Sequence, residues 1–364
     1  MKKYCIVSFG NLYVLPYSKT YINEILASGA QCDLLFWDRD AVNGQNDNYD
    51  GCRKICYERK ITPESSFKEK LFGYIEARSC FCKQLKKEKY DGVIFLQTHS
   101  AVACENVLKK HYQGRYIVDI RDFTLENYWI YRIFEKKVVD NSFATAISSP
   151  AYRKFLPEHD YVMAHNYTPF EEDTLTDIRS RMRDSETPIN ISFVGTVRFI
   201  DMDKKILNLF ANDTRFKINY YGTGSHVLER YCKENNINNT EFYGSFSPDM
   251  TTNFYKNTDL INNLYGNHNH YLDYALSNKI YHTAQFYMPI LVCPETYMEE
   301  VATEYQMGFV FDVNDADAPD KLFDQYKNND VDKLAEGCNK FLAKVKEENI
   351  VFYNTIRKFI NDFS

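Results

Sequence analysis

A polar segment around residue 277 has the composition of a helix start that binds an anion. Ser277, Asn278 and Lys279 stand just before an apolar stretch, and residues 288–292 (MPILV) follow with the composition of a buried strand. Ser and Asn are favoured N-cap residues. A helix start carries four unpaired N–H groups and about half a positive charge. The segment therefore predicts a diphosphate site on these backbone amides, with a plain capped helix as the alternative.

Glycines follow several of the predicted strands. Glycine is scarce in this chain, at 14 of 364 residues, against an average of about 7%. A glycine lets the backbone approach a ligand closely because it has no Cβ, and open α/β sheets bind ligands at the carboxyl ends of their strands. We therefore predict ligand-binding rims at Gly10 in the first half of the chain and at Gly195, Gly222, Gly224 and Gly244 in the second.

Three histidines stand in polar segments that follow predicted strands. His99 comes just after the strand predicted at 92–96. An unperturbed histidine has a pKa near working pH, so His99 is a candidate acid or base, with a structural histidine as the alternative. His268 and His270 alternate in a polar loop, but two ligands are too few to define a metal site. The sequence therefore predicts no metal centre.

Alternating strand and helix patterns predict an α/β fold with two doubly wound parallel sheets, and 364 residues suffice for two domains. We predict an N-terminal Rossmann-like domain at 1–170, an exposed linker at 171–188, a C-terminal Rossmann-like domain at 189–340 and a final helical segment at 341–364 that packs back on the first domain. The predicted strands are 4–9, 31–37, 92–96, 116–120, 145–147, 161–163, 189–194, 217–221, 241–243, 260–263 and 290–293. The predicted helices include 18–28, 67–87, 125–139 and 331–363.

The composition is that of a folded protein without a membrane span. Hydrophobic residues make up 44% and charged residues 26% of the chain, and no apolar run approaches the roughly 18 residues that a transmembrane helix needs. The first ten residues lack the apolar core and cleavage site of a signal peptide. Ten dispersed cysteines fit no zinc module and favour free thiols in a reducing compartment. We therefore expect a cytoplasmic protein.

The charge of the chain is acidic overall but uneven. A net charge of −6 does not favour a nucleic-acid surface. Residues 53–89, however, contain eleven Lys and Arg against five Glu. The aromatic residues of this stretch are Tyr57, Phe67, Phe72, Tyr74 and Phe81. A basic, aromatic face of this kind can contact anionic lipid head groups, with a solvated helix face as the alternative.

A succession of motifs extends from about residue 90 to 312. The motifs are YIVDIRD at 116–122, FEKKVV at 134–139, IS at 147–148, HN at 165–166, ISFVGTVR at 191–198, YYGTG at 220–224, EFYG at 241–244, Asp259, SNKIYH at 277–282 and MPILV at 288–292. In order and spacing, the second half resembles the nucleotide-binding domain of GT-B glycosyltransferases, most closely the retaining family 4 enzymes of bacterial capsule and O-antigen polysaccharide biosynthesis. The resemblance implies GT-B architecture, with two Rossmann-like domains facing across a cleft that holds a nucleotide-sugar.

The resemblance also implies roles for two basic residues in donor binding. Arg198 would clamp the diphosphate, and a guanidinium suits this task because its planar donors match two phosphate oxygens at once. Lys205, or alternatively Lys204, would be the second cation. Together with the predicted helix start, they would neutralise the donor without a metal or cofactor, and the UDP- or GDP-sugar would be a substrate. A surface ion pair is the alternative for Arg198.

The chain departs from the family at two positions. The family commonly has two glutamates, the second holding the ribose hydroxyls and the first the sugar, where this chain has His282 and Tyr274. A neutral histidine can hydrogen-bond a hydroxyl but lacks the two acceptors of a carboxylate, so the nucleotide and its pose stay open. Asp273 is the nearest carboxylate for the sugar. We expect the loop at 264–273 to wrap the donor, or else to be a mobile surface loop.

Asp122, followed by Arg121, is the predicted catalytic or sugar-positioning group of the first domain, because the family often places such a group after this strand. His99 is the third candidate. A retaining enzyme needs no strong protein nucleophile, since the leaving diphosphate can take the acceptor proton while the protein places charges. An inverting enzyme needs a general base, for which Asp122 is the first choice. The sequence leaves the two mechanisms open.

The family and the basic first domain predict a glycan or lipid-diphosphate-linked acceptor at the inner membrane face, and hence peripheral contact with that membrane. The residues expected on the acceptor side, or else in the core, are Tyr128, Trp129, Tyr131, Arg132 and Phe134. One alternative is a nucleotide-sugar-binding protein that has lost turnover, which the missing glutamates support. The other is a nucleotide-sugar 2-epimerase, which would need a cluster of carboxylates.

Overall fold

The chain folds into two compact α/β units. A computed structural model describes residues 1–40, 49–62, 64–181 and 188–363. Unit 1 comprises Met1–His165 and Glu347–Ser364, and unit 2 comprises Asn166–Lys346. The chain therefore crosses from one unit to the other twice, after His165 and again after Lys346.

Unit 1 is built on a parallel sheet of seven strands in the order β3-β2-β1-β4-β5-β6-β7. Its strands are β1 (Lys3–Ser8), β2 (Gln31–Asp38), β3 (Cys52–Glu58), β4 (Gly92–Leu96), β5 (Tyr116–Ile120), β6 (Ala144–Ile147) and β7 (Tyr161–Met163). Its helices are α1 (Ser18–Ala27), α2 (Phe67–Glu88), α3 (Thr98–Ala103), α4 (Glu105–Val107) and α5 (Trp129–Asp140). The direction of winding reverses between β1 and β4, as in a doubly wound fold.

Unit 2 is built on a parallel sheet of six strands in the order β10-β9-β8-β11-β12-β13. Its strands are β8 (Ile189–Val194), β9 (Phe216–Tyr221), β10 (Thr240–Tyr243), β11 (Leu260–Asn263), β12 (Ile290–Val292) and β13 (Gly308–Val310). Its helices are α6 (Glu172–Arg181), α7 (Ile200–Leu209), α8 (Ser225–Glu234), α9 (Thr251–Tyr255), α10 (His270–Asp273), α11 (Lys279–Phe286), α12 (Tyr297–Glu304) and α13 (Ala318–Lys327). The winding reverses between β8 and β11.

Two features of the sequence explain why these elements form. The central strands β4 and β5 are buried along their whole length, which matches the continuous apolar runs of parallel sheets covered on both faces. Helix α2 begins with a capping box, in which the Ser66 side chain accepts from the Glu69 amide at 3.3 Å and the Glu69 carboxylate accepts from the Ser66 amide at 2.7 Å. The reciprocal bonds satisfy two donors at the helix start.

The last helix, α14 (Val331–Asp362), contributes side chains to both units. Phe341 and Val345 are buried in the core of unit 2. Phe352 and Phe359 are buried in the core of unit 1, where a Cβ on Gly92 would lie 2.5 Å from the Phe359 ring. The end of the chain therefore completes the core of the unit in which the chain begins.

Helix α6 lies in the segment 171–188, where the sequence predicts an exposed linker. Leu175 and Ile178 of this helix are buried in the core of unit 2. Their spacing of three residues places both on one face of the helix, but the charged residues around them conceal this short apolar stripe. The remaining predicted linker residues, 182–187, lie outside the described part of the chain.

In the described ranges, no helix is both long and apolar enough to cross a bilayer. The ten cysteines are all free thiols, and six of them are buried. The described His, Cys, Asp and Glu side chains form no group of three or more that could hold a metal ion.

Candidate functional site

The carboxyl ends of β8 and β11 form the rim of unit 2 at which we expect a ligand. The two strands are paired neighbours, and the strand order reverses between them. Open parallel sheets bind ligands at such a switch point, because the loops that follow the two strands diverge there and leave a crevice. The rim continues along the carboxyl ends of β9 and β10, so its residues follow the last residues of β8, β9, β10 and β11, which are Val194, Tyr221, Tyr243 and Asn263.

Gly195 and Gly222 allow two strand-end loops of this rim to touch through their backbones. Their φ angles are +141° and +143°. A Cβ on Gly222 would lie 1.9 Å from the carbonyl oxygen of Gly195, so no other residue fits at position 222 without a backbone shift. The Gly195 amide donates to the Tyr221 carbonyl oxygen at 2.9 Å, and the Gly222 amide donates to the Tyr243 carbonyl oxygen at 2.8 Å. These bonds fix the two loops to neighbouring strand ends.

The other two predicted rim glycines lie further along the same edge. Gly224 is the N-cap of α8, and a Cβ there would lie 3.1 Å from the carbonyl oxygen of Val197. Gly244 is exposed after β10, and a Cβ there would meet nothing within 4 Å. Gly195, Gly222 and Gly224 are thus parts of one packed edge, whereas Gly244 lies at its open end.

Arg198 is exposed in the loop between β8 and α7. Among the residues that the structure describes, none forms a hydrogen bond or an ion pair with its guanidinium. Lys205 is exposed on α7, whereas the Lys204 ammonium lies 5.0 Å from the centroid of the Tyr231 ring. Arg198 and Lys205 are thus exposed cations that follow β8 and have no ion-pair partner among the described residues.

The helix start lies at Asn278, one of the two residues that the sequence offers as an N-cap. Helix α11 starts at Lys279, with Asn278 as its N-cap and without a side-chain cap from Asn278. The Lys279 amide donates to the Ser277 hydroxyl at 3.3 Å, and the Ser277 amide contacts the Met298 sulfur at 3.3 Å. Two of the three predicted amides are therefore engaged within the protein. The exposed Asn278 amide is the one that has no acceptor in the described structure.

The side chain of Lys279 is an unusual buried cation that sequence reasoning missed. Lys279 is only 5% exposed. Its ammonium donates to the Tyr265 hydroxyl and lies 4.1 Å from the centroid of the Phe193 ring. Within the described ranges, no carboxylate forms an ion pair with it. A buried charge without a counter-ion is unfavourable, and ring faces offset only part of that cost. Lys279 therefore makes the interior of this rim electropositive.

Two titratable groups respond to the Lys279 charge. Burial raises the pKa of Asp203 to about 6, although the hydrogen bond from Tyr220 and the charge of Lys279 act in the opposite direction. Burial, and then the charge of Lys279, lowers the pKa of His282 to about 4. His282 is therefore neutral at pH 7. Its Nδ1 and the Tyr255 hydroxyl share a hydrogen bond of 2.9 Å, so Nε2 is the ring nitrogen that can contact a ligand hydroxyl.

Two buried acceptor oxygens lie at the end of strand β11 and in helix α10, and neither has a donor in the described structure. The Oδ1 atoms of Asn263 and Asp273 are buried, and neither accepts a hydrogen bond in the described structure. Buried polar atoms normally have partners, so these two atoms are candidates for contact with ligand hydroxyls. Asn263 carries no sequence signal beyond being a polar residue at the end of an apolar strand. At the start of α10, the ring of His270 stacks on the ring of Tyr274, with the two ring centroids 5.7 Å apart.

Arg121 is buried after β5, whereas its neighbour Asp122 is exposed. The Arg121 guanidinium donates to Asp119 at 2.5 and 2.8 Å and to the Ala164 carbonyl at 2.7 Å. Burial opposes its charge, but Asp119 raises the pKa of Arg121 above that of an ordinary arginine. Because its donors point into unit 1, Arg121 is held as a structural cation, and Asp122 is the group that the strand end presents to solvent.

His99 and Gly10 lie at the switch point of unit 1. His99 is the second residue of α3, and its ring lies 6.4 Å from the rings of both Phe9 and Tyr74. Burial, and then the charge of Arg39, lowers the pKa of His99 to about 4, so the residue is neutral at pH 7 and poorly matched to acid–base catalysis there. Gly10 follows β1, and its amide donates to the Ser8 hydroxyl at 3.1 Å.

Glu126 and Glu135 form a buried carboxyl pair that the sequence did not predict. Glu135 is fully buried. Burial, and then the neighbouring Glu126, raises the pKa of Glu135 to about 9. Glu126 accepts from the Thr124 hydroxyl at 3.2 Å. Glu135 is therefore protonated at neutral pH, on the helix that follows the segment carrying Asp122.

We expect Glu135→Gln to remove a loss of stability at alkaline pH. The folded-state pKa of Glu135 lies above its ordinary value of 4.5, so the folded state binds the proton more tightly than the unfolded state. Stability from this site is thus fully present at low pH and is lost as pH rises through the folded-state pKa. Urea unfolding at pH 5, 7 and 9 should show that the free energy of unfolding of Glu135→Gln rises relative to that of the wild type as pH rises.

Glu158→Gln is the matched control for this prediction, because Glu158 is an exposed glutamate of the same unit. It should follow the wild type at all three pH values. Parallel pH profiles for wild type and Glu135→Gln would show that the buried carboxyl does not titrate in this window.

The fold of the chain is similar to those of several solved GT-B glycosyltransferases. HepE of Anabaena in complex with UDP aligns with a TM-score of 0.67 and 11% identity over 100% of this chain and 99% of that one. Sucrose-phosphate synthase from Thermosynechococcus elongatus aligns with a TM-score of 0.66 and 12% identity over 100% of this chain and 95% of that one. The lipopolysaccharide outer core galactosyltransferase WaaB aligns with a TM-score of 0.65 and 12% identity over 99% of this chain and 99% of that one.

These comparisons establish the fold class. No family model matches the chain, and no curated protein matches its sequence. Identities of 11 and 12% make the likeness one of fold. The predicted α/β fold, with two Rossmann-like parallel-sheet units of the kind found in GT-B glycosyltransferases, is therefore confirmed.

Proposed function

We propose that the protein is a glycosyltransferase that moves a sugar from a nucleotide-diphosphate donor to a glycan or lipid-diphosphate-linked acceptor. The proposal is supported by the rim of unit 2, where the described part of the chain has exposed cations without ion-pair partners after β8 and buried acceptors without donors at the end of β11 and in α10. HepE, a structure of similar fold, was solved with UDP and with UDP-glucose. A UDP-sugar is therefore the first donor to test, ahead of a GDP-sugar.

In this proposal the donor diphosphate binds to the positive groups of the unit 2 rim. Arg198 supplies a guanidinium that matches two phosphate oxygens, and Lys205 supplies a second cation. The Asn278 amide adds a hydrogen bond at the start of α11. The buried ammonium of Lys279 favours an anion at the same edge without contacting solvent. These groups neutralise the diphosphate with no need for a metal ion.

The sugar and ribose hydroxyls require different partners. Neutral His282 offers Nε2 to a ribose hydroxyl, in place of the glutamate that the resemblance leads us to expect. Asp273 and Asn263 each offer a buried acceptor oxygen to the sugar. Unpaired acceptors of this kind discriminate strongly between sugars that have a hydroxyl at the matching position and sugars that lack it.

Transfer in this proposal needs charge placement more than covalent chemistry. The bond between the sugar and the phosphate oxygen breaks, and a bond to the acceptor oxygen forms. With retention, the leaving diphosphate takes the acceptor proton, and Arg198 and Lys205 stabilise the charge that develops on it. With inversion, Asp122 takes that proton. The proposal assigns donor binding to unit 2 and acceptor activation to unit 1.

Contact with the inner membrane face is a further part of the proposal. Helix α5 and the segment before it expose large apolar side chains, and helix α2 exposes more of them beside its lysines. These exposed side chains are Leu125, Tyr128, Trp129, Ile130, Ile133 and Phe134, with Phe67, Leu71, Phe72 and Ile75 on α2. Apolar faces rimmed by lysines bind anionic bilayers. Of the predicted acceptor-side aromatics, Tyr131 is buried and belongs to the core.

A thermal-shift panel of nucleoside diphosphates tests the proposal. A ligand at 100 times its dissociation constant stabilises the folded state by about 2.7 kcal/mol, so UDP should stand out from GDP, ADP and CDP. The same panel separates the main alternative, a binding protein without turnover, because that protein would show the UDP shift but release no UDP from a UDP-sugar. Absence of a shift with every nucleotide would reject donor binding by unit 2.

We expect Asp122→Ala to keep the UDP shift and to lose transfer. Asp122 is exposed after β5 in unit 1, so its removal leaves the donor rim intact. Loss of a general base or acceptor-positioning carboxylate lowers the rate by about 100- to 10,000-fold. The measurement is UDP release from UDP-glucose in the presence of a bacterial lipid extract. Asp160→Ala, which removes another exposed carboxylate of unit 1, should keep the wild-type rate; an unchanged rate in Asp122→Ala would exclude Asp122 from the chemistry.

A further inference from the structure

Arg39, just past the carboxyl end of β2, is a cation held by aromatic rings. Its guanidinium carbon lies 4.4 Å from the centroid of the Trp37 ring and 5.1 Å from that of Tyr74. Its Nη2 donates to the Tyr74 hydroxyl at 2.9 Å. Its Nε is buried and has no acceptor in the described structure. The rings thus fix the guanidinium plane and leave donors at its edge unused.

The carboxylates on either side of Arg39 in the sequence do not neutralise it. Arg39 follows the last residue of β2 and packs on the Trp37 ring, whereas Asp38 accepts from the Asp40 amide at 3.2 Å. Asp40 accepts from the Asn11 side chain at 2.7 Å. In the described part of the chain, no Asp or Glu forms an ion pair with Arg39. The neighbouring carboxylates therefore leave the Arg39 guanidinium available to an anionic ligand.

The surroundings of Arg39 favour an anionic ligand at the rim of unit 1. Tyr74 accepts from Arg39 and so retains its own hydroxyl proton for donation to a ligand. His99, whose ring lies 6.4 Å from the Tyr74 ring, is neutral at pH 7 because burial and Arg39 lower its pKa to about 4. Phe9, which follows β1, stacks on Tyr74 at 6.1 Å. Arg39 thus joins groups that follow β1, β2 and β4.

We propose that Arg39 and Tyr74 bind a phosphate group of the acceptor substrate. The planar guanidinium edge and the adjacent phenol present donors that match phosphate oxygens. Leu71, one turn before Tyr74 on α2, exposes an apolar side chain, and Ile75 and Phe72 continue this apolar stripe around the helix, which suits a hydrocarbon chain attached to that phosphate. The term acceptor rests on the proposed function, whereas the anion site itself rests on the geometry of Arg39 alone.

Trp37 provides a local reporter for this site. The chain has two tryptophans, and the other one, Trp129, is 70% exposed. In a Trp129→Phe background, emission therefore comes from Trp37 beneath Arg39. Titration with inorganic pyrophosphate and with farnesyl diphosphate, with and without saturating UDP to occupy unit 2, should give a saturable change in that emission. We expect Arg39→Gln to weaken binding at least about tenfold, as removal of a charged hydrogen-bond donor does.

Two further variants make the result specific to Arg39. Lys68→Gln removes an exposed positive charge from the same end of α2 and should change affinity by less than about twofold. Arg39→Lys keeps the charge but loses the planar fork, so its affinity should lie between those of wild type and Arg39→Gln. Equal losses in Lys68→Gln and Arg39→Gln, or no saturable change with either probe, would overturn the proposal.

The two probes separate the sources of the phosphate. Similar affinities for pyrophosphate and farnesyl diphosphate would support a soluble phosphorylated acceptor, and much tighter farnesyl diphosphate binding would support a lipid-linked one. The proposed function is tested separately by the UDP shift. A protein that binds UDP but shows no Arg39-dependent titration would keep its proposed function and lose this site, and the reverse result would keep the anion site and reject donor binding.

Discussion

Arg198→Ala should nearly abolish the stabilisation that UDP gives to the wild-type protein. Hydrogen bonds to charged groups contribute about 1.5–3 kcal/mol each, so loss of the guanidinium weakens UDP binding by about 10- to 150-fold. At a UDP concentration of 100 times the wild-type dissociation constant, a 100-fold loss reduces the stabilisation from about 2.7 to about 0.4 kcal/mol. The stability without UDP should stay the same, since Arg198 is exposed and has no partner in the described structure.

Arg230→Ala is the control for Arg198→Ala. Arg230 is an exposed arginine of α8 in the same unit, so its removal changes the net charge equally and should leave the UDP shift intact. Lys205→Ala should give a smaller loss than Arg198→Ala, because an ammonium lacks the fork of a guanidinium. A full UDP shift in Arg198→Ala would mean that the diphosphate binds elsewhere.

Local patterns were enough to predict most of the fold. The sequence predicts helix 67–87 and a final helix at 331–363, and the structure has Phe67–Glu88 and Val331–Asp362. Strand β3 was not predicted. It is an edge strand with exposed and half-buried residues along its length, so it has no apolar run. Its Arg53 forms an ion pair with Asp33 of β2 at 2.5 Å. In the sequence, Arg53 counted only as part of a basic stretch, and this contact between strands was not predicted.

The candidate site was predictable only where backbone geometry decides it. Glycines after strands predicted a close approach of the backbone to a ligand, and the structure shows a close approach of Gly222 to the Gly195 carbonyl, where a Cβ has no room. The buried ammonium of Lys279 could not be predicted, since it depends on Phe193 and Tyr265 from other elements. The depressed pKa of His99 likewise arises from burial and from Arg39, which is 60 positions earlier in the sequence. Side chains that meet through tertiary packing leave no pattern along the chain.

Gly222→Ala should be the most destabilising single-methyl change at the unit 2 rim. The φ angle of +143° strains any L side chain, which costs about 1–3 kcal/mol. The new Cβ would also meet the Gly195 carbonyl oxygen at 1.9 Å, and backbone atoms must shift to relieve such a clash. Together we expect a loss of about 3 kcal/mol or more, measured by urea unfolding of the full chain.

Two neighbouring glycines separate the strain from the clash. Gly195→Ala has a φ of +141°, but its Cβ would have 3.9 Å to the nearest atom, so it should lose only the strain energy of about 1–3 kcal/mol. Gly244→Ala introduces neither backbone strain nor a clash, so it should change the free energy of unfolding by less than about 1 kcal/mol. The UDP shift should fall in the same order, because the clash at residue 222 displaces the loop that leads to Arg198. Three variants of equal stability would contradict the backbone contact on which the shape of this rim depends.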